Sequence, residues 1–394
     1  MEEKKYWVWL TMVFGAGSSR LWKILERYET AEDAYLAITS GECESFLTPN
    51  ERRAVSTPLE AAENLLMECE KRGIMTVSYE SEDYPPQLRH ITDPPAILYY
   101  KGDIRCLKGT KTITAIGSRN SAEYPLRVAN RVCYELARRG VVIISGFALG
   151  VDITSQMAAA SKGYPTVAVL GCGIDVDYPR ENYRCRDTII KAGGALVTEF
   201  PLGTKALPQN FPKRNRILSA LSKATVVFQA SKKSGSLITA SLAADQGRDV
   251  FCLPPADIYS SAYSGNVMLL SEGASPFFSS DDIYSCFGYG MPLYAETVDD
   301  PFEDSLPQEK TLQKETIPQN VTEEKTADSS QQKDEIILDG IQADIARILS
   351  DGPLHADILA QKLGIDMSEL MIELTEMEIL GAVRSLPGKI YEKF

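Results

Sequence analysis

From residue 112 the chain alternates short, almost unbroken apolar runs with stretches whose apolar residues recur every three or four positions. The runs are "TITAIGSR", "VVIISGFALG", "TVAVLGCG", "ALVTEFP", "TVVFQASKKSG" and "DVFCLP", and the amphipathic stretches cover 124–139, 151–162, 179–192 and 236–247. A strand that is apolar throughout is buried on both faces, and helices between such strands build βαβ units. The pattern therefore predicts an α/β fold around a mostly parallel sheet. Residues 6–70 carry only short helical patterns. There "GAGSSRLWKIL" (15–25) opens a helix with a Gly-x-Gly turn. It reads either as a helix-hairpin-helix touching a phosphate or as a tight turn in a small bundle; the net negative charge of 1–110 favours the bundle.

Periodicity is lost at 294–335, a polar, acidic, Pro-interrupted stretch that reads as a disordered linker. Beyond it, "GIQADIARILSD" and "HADILAQKLG" precede a third helical pattern, "DMSELMIELTEMEILG", and a hairpin-like "AVRSLPGKIYEKF". That order suggests a winged helix, whose third helix would ordinarily enter a DNA groove. This third helix carries Asp366, Glu369, Glu373, Glu376 and Glu378 and no cation, while Arg384, Lys389 and Lys393 lie in the wing. Phosphates would repel such a helix, so a protein contact or a regulatory role is expected.

Charge changes the picture only when it is divided. The 394 residues are 44% hydrophobic and 24% charged, a globular composition, with a formal charge of −13. Residues 111–257 hold 19 Lys/Arg against 11 Asp/Glu, a net +8, whereas 294–335 hold 4 against 12, a net −8. The α/β segment is thus a basic surface inside an acidic chain. Eight scattered cysteines without a CxxC pair, and two histidines, assemble no zinc-ligand spacing and suit a reducing cytoplasm. No metal or cofactor is expected. The apolar start of "MEEKKYWVWLTMVFGAGSSR" lacks a basic leader and an A-x-A site and reads as a domain helix. No apolar run reaches the length of a membrane span, and no membrane is expected as a partner.

The candidate chemistry sits where the predicted strands end. Gly117-Ser118-Arg119, Ser145-Gly146, Gly171-Cys172-Gly173 and Ser234-Gly235-Ser236 share one character: small residues that expose backbone N–H groups, often just before a helix. One such turn is ordinary punctuation. Four on one sheet edge, joined by Arg119 and by the cluster Lys213, Arg214 and Arg216 of "NFPKRNRILSALS", form an anion site fit for phosphates. GxxxxGK[ST] is absent and GxGxxG is incomplete, which argues against a P-loop NTPase and a dinucleotide site. Asp152, Asp175, Asp177 and Glu199 fall near strand ends, yet form no paired-carboxylate or Ser/His/Asp device; Asp175 and Asp177 read as ties for their own loop. A row of anion pockets suits a polymer of phosphates. Phe211 beside Lys213 and Arg214 has the composition of a single-strand site, where bases stack on aromatics; equally, Phe211-Pro212 reads as a rigid loop. One arginine of the cluster is a candidate partner for Glu199, and a helix is expected from Ile217 onward.

The stretches "GSRN", "SGFALGVD", "VAVLGCGIDVDYPREN", "TEFPLGTKALPQNFPKRNRILSALS", "GSLITASLAADQGRDVF" and "SGNVMLLSEGA" resemble, in order, the motifs of the DprA/Smf family of DNA processing proteins of natural transformation. The resemblance runs from about 75 to 280. It implies an extended Rossmann-like domain over 76–290, a helical domain over 1–75 (SAM- or helix-hairpin-helix-like), a linker at 291–335 and a winged helix over 336–394. It further implies a homodimer that binds and shields single-stranded DNA and loads the RecA recombinase, without catalysis. The DNA pocket would comprise Gly117, Ser118, Arg119, Ser145, Gly146, Phe211, Lys213, Arg214, Asn215, Arg216, Gly235 and Ser236. The chain departs from the family's pattern at Pro255, where a Pro-Gly step is usual, and at Leu149, a position often polar or basic. The alternative is a nucleotide-processing enzyme resembling the lysine-decarboxylase-like phosphoribohydrolases; "KSGSLITASLA" places no acid where their PGGxGTxxE turn keeps its glutamate.

Overall fold

The computed structural model describes residues 2–288 and, within 341–393, all but 351, 366–369, 371, 372, 375, 376, 378–381 and 387–389. The stretch read as a linker, 291–335, lies outside the described residues, as do Asp366, Glu369, Glu376, Glu378 and Lys389. The chain divides into two compact units, Met1–Asp300 and Pro301–Phe394.

The first unit opens with five helices: α1 (Glu2–Phe14), α2 (Ser19–Leu25), α3 (Ala31–Thr39), α4 (Pro49–Ala54) and α5 (Leu59–Lys71). Local chemistry sets their ends. Thr48 and Glu51 form a reciprocal capping box on α4, and Arg20 of α2 grips the same Glu51 through Nε at 2.7 Å and Nη2 at 2.9 Å. Trp7, Trp9 and Leu10 of α1 lie in one continuous apolar cluster with Ile97, Tyr99 and Leu196, which belong to the sheet described next.

That sheet has nine strands among the described residues: β1 (Met75–Ser78), β2 (Ile97–Gly102), β3 (Lys111–Ile116), β4 (Val141–Ser145), β5 (Thr166–Val169), β6 (Ala195–Thr198), β7 (Ala224–Val227), β8 (Asp249–Cys252) and β9 (Ser275–Pro276). Their order is β1-β2-β6-β5-β4-β3-β7-β8-β9. From β6 to β9 all pairings are parallel, and β2 joins β6 and β1 antiparallel. The connecting helices are α6 (Glu123–Arg138), α7 (Val151–Ala160), α8 (Cys185–Lys191), α9 (Asn210–Ala220), α10 (Gly235–Asp245) and α11 (Ser264–Ser271), and α12 (Ser280–Tyr284) follows β9. The alternation read from the sequence is thus the observed one, since α6 buries Ala129, Val132, Cys133, Leu136 and Ala137 along one stripe. Two boundaries differ. The 179–192 stretch is helical only from Cys185, after a 3₁₀ turn at Arg180–Asn182. The helix expected from Ile217 instead begins at Asn210, so Phe211-Pro212 is part of it; proline is tolerated there because first-turn N–H groups have no intrahelical acceptor.

The chain runs outward from β3 through β4, β5 and β6 and then returns to place β7 on the other side of β3. The segments leaving β3 and β7 therefore diverge, which opens a crevice at the carboxyl edge of the sheet. Arg216 of α9 helps hold this crossing. Its Nη2 donates to Glu199 Oε2 at 2.6 Å just past β6, and its Nε donates to Asp93 Oδ2 at 3.0 Å before β2. Gly17, at φ +69°, covers the pair so closely that a Cβ would lie 3.2 Å from Arg216 Nη2 and 3.3 Å from Glu199 Oε1. One buried cation thus links the helical turn, the sheet and α9.

The second unit contains α13 (Ile341–Leu349), β10 (Leu354–His355), α14 (Ala356–Leu363), β11 (Val383–Leu386) and β12 (Ile390–Lys393), with an antiparallel sheet in the order β10-β12-β11. Leu370, Leu374 and Met377 are buried against α13 and α14 residues in its core. No described helix is long and apolar enough to cross a membrane.

Arg216→Ala leaves Glu199 buried without its partner, and the expected loss is roughly 3–5 kcal/mol of unfolding free energy. Burial already raises the Glu199 pKa, against the pull of Arg216. Without that pull the native state holds the proton to higher pH than the unfolded chain does, so the variant loses stability as pH rises. Urea unfolding at pH 5 and pH 8 should give a smaller deficit at pH 5; a deficit that grows on acidification contradicts the buried-carboxylate account.

Candidate nucleic-acid interface

A cavity of about 360 Å³ fills the crevice between the ends of β3 and β7. Its walls are Gly117–Asn120 after β3, Ala148 and Asp152 after β4, one flank of α9, and Ser231 with Ser234–Ser236 and Thr239 after β7. Ser234 caps α10, accepting from Ser236 N at 3.2 Å, so the positive end of that helix borders the opening.

Arg214 is the central side chain. Almost wholly buried at the cavity floor, it donates through Nη1 to the carbonyl oxygens of Gly146 (2.8 Å) and Val169, and through Nε to Asn215 Oδ1 (3.2 Å). Burial lowers its pKa to about 10, with Asp152 opposing the shift, which still leaves it charged at neutral pH. Asp152 accepts at Oδ2 from Gly146 N (3.1 Å) and Ala148 N (3.4 Å); burial raises its pKa while Arg214 pulls it back. Asn182 Nδ2 donates to Phe147 O at 2.9 Å and Ala148 O at 3.3 Å. These clamps fix a strained loop, because Phe147 sits at φ +59°, the sole non-glycine residue with positive φ among those described. Gly146 is required by contact: a Cβ would lie 2.6 Å from Arg214 Nη2 and 2.7 Å from Asp152 Oδ2.

Phe211 braces the exposed cation. Its ring lies 5.2 Å from the Arg119 guanidinium carbon, 5.9 Å from that of Arg214 and 5.5 Å from the Tyr178 ring. Arg119 Nη1 also donates to the Tyr178 hydroxyl at 3.3 Å. A guanidinium held over an aromatic face keeps its N–H edge directed and its charge in water.

The structure therefore brings together Gly117, Ser118, Arg119, Phe211, Arg214, Asn215, Gly235 and Ser236 around one cavity. It places the other four differently. Ser145 is buried in β4 and donates Oγ to Ala115 O at 2.6 Å, a tie between strands and not a wall of the cavity. Arg216 is committed to Glu199 and Asp93 and cannot also hold a phosphate. Lys213 is exposed but turns toward the N-terminal turn, with Nζ 3.5 Å from Ala16 O. Gly146 stands behind the wall, making room for Arg214. Sequence reasoning missed Tyr178, whose place beside Arg119 only the folded loop reveals, and the exposed Lys232 and Lys233, in sequence between two lining serines, for which the strand-like run "TVVFQASKKSG" held the signal. Asp175, read as a loop tie, accepts from Gly203 N at 2.9 Å.

The family model described as DNA recombination-mediator protein A matches residues 52–288, and that of the DprA winged helix domain matches 328–389. The chain belongs to the DNA recombination-mediator protein A family. Protein Smf of Escherichia coli is 32% identical over 337 residues, covering 86% of this chain and 82% of that protein. The DNA processing protein DprA of Bacillus subtilis is 39% identical over 214 residues, covering 54% of this chain and 71% of that protein. Among solved structures, DNA processing protein A of Streptococcus pneumoniae aligns at 30% identity with a TM-score of 0.62, over 73% of this chain and 97% of its own. The first match spans the whole nine-strand sheet, and the second covers most of the C-terminal unit, which carries the winged helix.

Gly146→Ala should overpack the space between Arg214 and Asp152 and lower stability by roughly 1–3 kcal/mol, read as a shift of the urea midpoint. An unchanged midpoint would mean that the loop has slack the geometry denies.

Proposed function

We propose that this protein binds single-stranded DNA along the carboxyl edge of its sheet, grips it by the phosphates, and mediates recombination. The observation that carries this reading is the joining of an aromatic-braced Arg119 and the start of α10 at one cavity, with exposed Lys232 and Lys233 in sequence between the lining residues Ser231 and Ser234, in a segment of net charge +8. Phosphate contacts of this kind carry no base information, so they support affinity on every sequence. A crevice that leaves room for splayed bases beside Phe211 and Tyr178 suits a single strand better than a stiff duplex.

The description of the family, a DNA recombination mediator, supports the role in recombination. In this reading the protein shields the strand, acts as a homodimer and passes the strand to a RecA-type recombinase in the cytoplasm, without catalysing a reaction. Gly117, Ser118, Arg119, Phe211, Asn215, Gly235 and Ser236 form the DNA surface. Arg214 lies at the floor of that surface, and Lys213 stands at its margin beside the N-terminal turn.

Affinity for a single-stranded oligonucleotide should fall steeply with salt, because each neutralised phosphate releases counterions. Arg119→Ala with Lys232→Ala and Lys233→Ala should weaken binding on all sequences and reduce the slope of log K against log salt by about one per lost contact. Undiminished binding by a triple variant with unchanged thermal unfolding would remove the site. Release of free base from nucleoside monophosphates, lost in the same variant, would replace the reading with an enzymatic one.

A further inference from the structure

The floor of the cavity is polar without being uniformly cationic. Asp152, Arg214, Asn215, Ser236 and Thr239 all line it, and none is more than 8% exposed. Each keeps an uncommitted polar atom. Asp152 spends Oδ2 on two amides and leaves Oδ1; Arg214 spends Nη1 and Nε and leaves Nη2; Asn215 spends Oδ1 and leaves Nδ2. The hydroxyls of Ser236 and Thr239 have no hydrogen-bond partner among the described residues. None of these five atoms is sealed into the interior in the way that Glu199 Oε1 is, so all remain open to the cavity. Polar atoms this deep ordinarily find partners, and a group of five without them marks a place built for a ligand.

The chemistry of the five selects the ligand. A phosphate offers only acceptors and negative charge, and at the floor it would meet the Asp152 carboxylate. It is better served at the rim, where Arg119 and the start of α10 stand. A flat neutral group that carries N–H donors beside a carbonyl matches the floor: Asp152 Oδ1 accepts, while Arg214 Nη2 and Asn215 Nδ2 donate.

We propose that the floor of this cavity receives one unstacked nucleobase by its Watson–Crick edge, and that guanine fits best. Guanine sets two donors, N1–H and the 2-amino group, beside the acceptor O6, which pairs with Asp152 on one side and Arg214 or Asn215 on the other. Thymine flanks its single N–H with two carbonyls and brings one of them against the carboxylate. The inference rests on the strand-binding reading above and adds to it a base preference at one subsite of an otherwise backbone-held strand.

The test uses the full chain and fluorescently labelled single strands of one length: all thymine, thymine with a guanine at every fourth position, and the same strand with inosine in place of guanine. The guanine strand should bind about tenfold more tightly than the thymine strand, in the range that a paired base edge supplies. Inosine, which lacks the 2-amino group, should fall between them. Asp152→Asn should bring the guanine strand toward the thymine strand, but the wild-type series decides the matter even if that variant folds poorly. Equal affinity of the wild-type chain for all three strands, with steep salt dependence retained, would overturn the base subsite and leave the strand-binding reading standing. Failure to bind any strand would overturn both.

Discussion

The site depends on one buried cation. Arg214 sits where β4 and β5 end and caps the carbonyl oxygens of Gly146 and Val169. Burying a guanidinium carries a large desolvation cost, and it is tolerated here because those carbonyls and the Asp152 carboxylate surround it. Much else follows from its position. The glycine at 146 makes space for it, the strained Phe147 turns the chain beside it, and α9 must start early enough to deliver it. Its neighbour Arg216, two residues on, faces another way and locks the same helix to Glu199 and Asp93. The two arginines fix α9 in rotation and in translation, and so they place Phe211 against Arg119.

This division of labour explains why a run of cations in the sequence is not a patch of cations on the surface. Lys213, Arg214 and Arg216 are close in sequence, yet a helix sends them to three environments: solvent, the carboxyl edge of the sheet, and a buried ion pair. The exposed charge lining the cavity comes instead from Arg119, and the exposed Lys232–Lys233 step follows the lining residue Ser231, on a segment far from Arg119 in the chain.

The sheet, its helices and most of the strand-end turns were legible because unbroken apolar runs and glycine-bearing turns are local signals. The nine-strand order was not, since β7 joins β3 across the whole molecule. The family resemblance supplied the Rossmann-like reading that periodicity alone left open. Ser145 was misread because a serine at the end of a strand buried on both faces carries no mark of which way it points. The start of α9 was hidden by Pro212, which reads as a loop until its place in the first turn is known. Arg216 could be assigned to Glu199 only as one of several pairings, because a distance between residues 17 apart in sequence is set by the fold.

The clamped loop at Gly146–Ala148 bears on the kinetics of encounter. A segment whose amides and carbonyls are already taken by Asp152 and Asn182 does not need to order itself when a ligand arrives. The entropy of arranging this wall is lost once, during folding, and is not charged to each association. Capture is then governed by the electric field of the basic segment and by the exclusion of water from the crevice, while the residence time reflects how many contacts must break together.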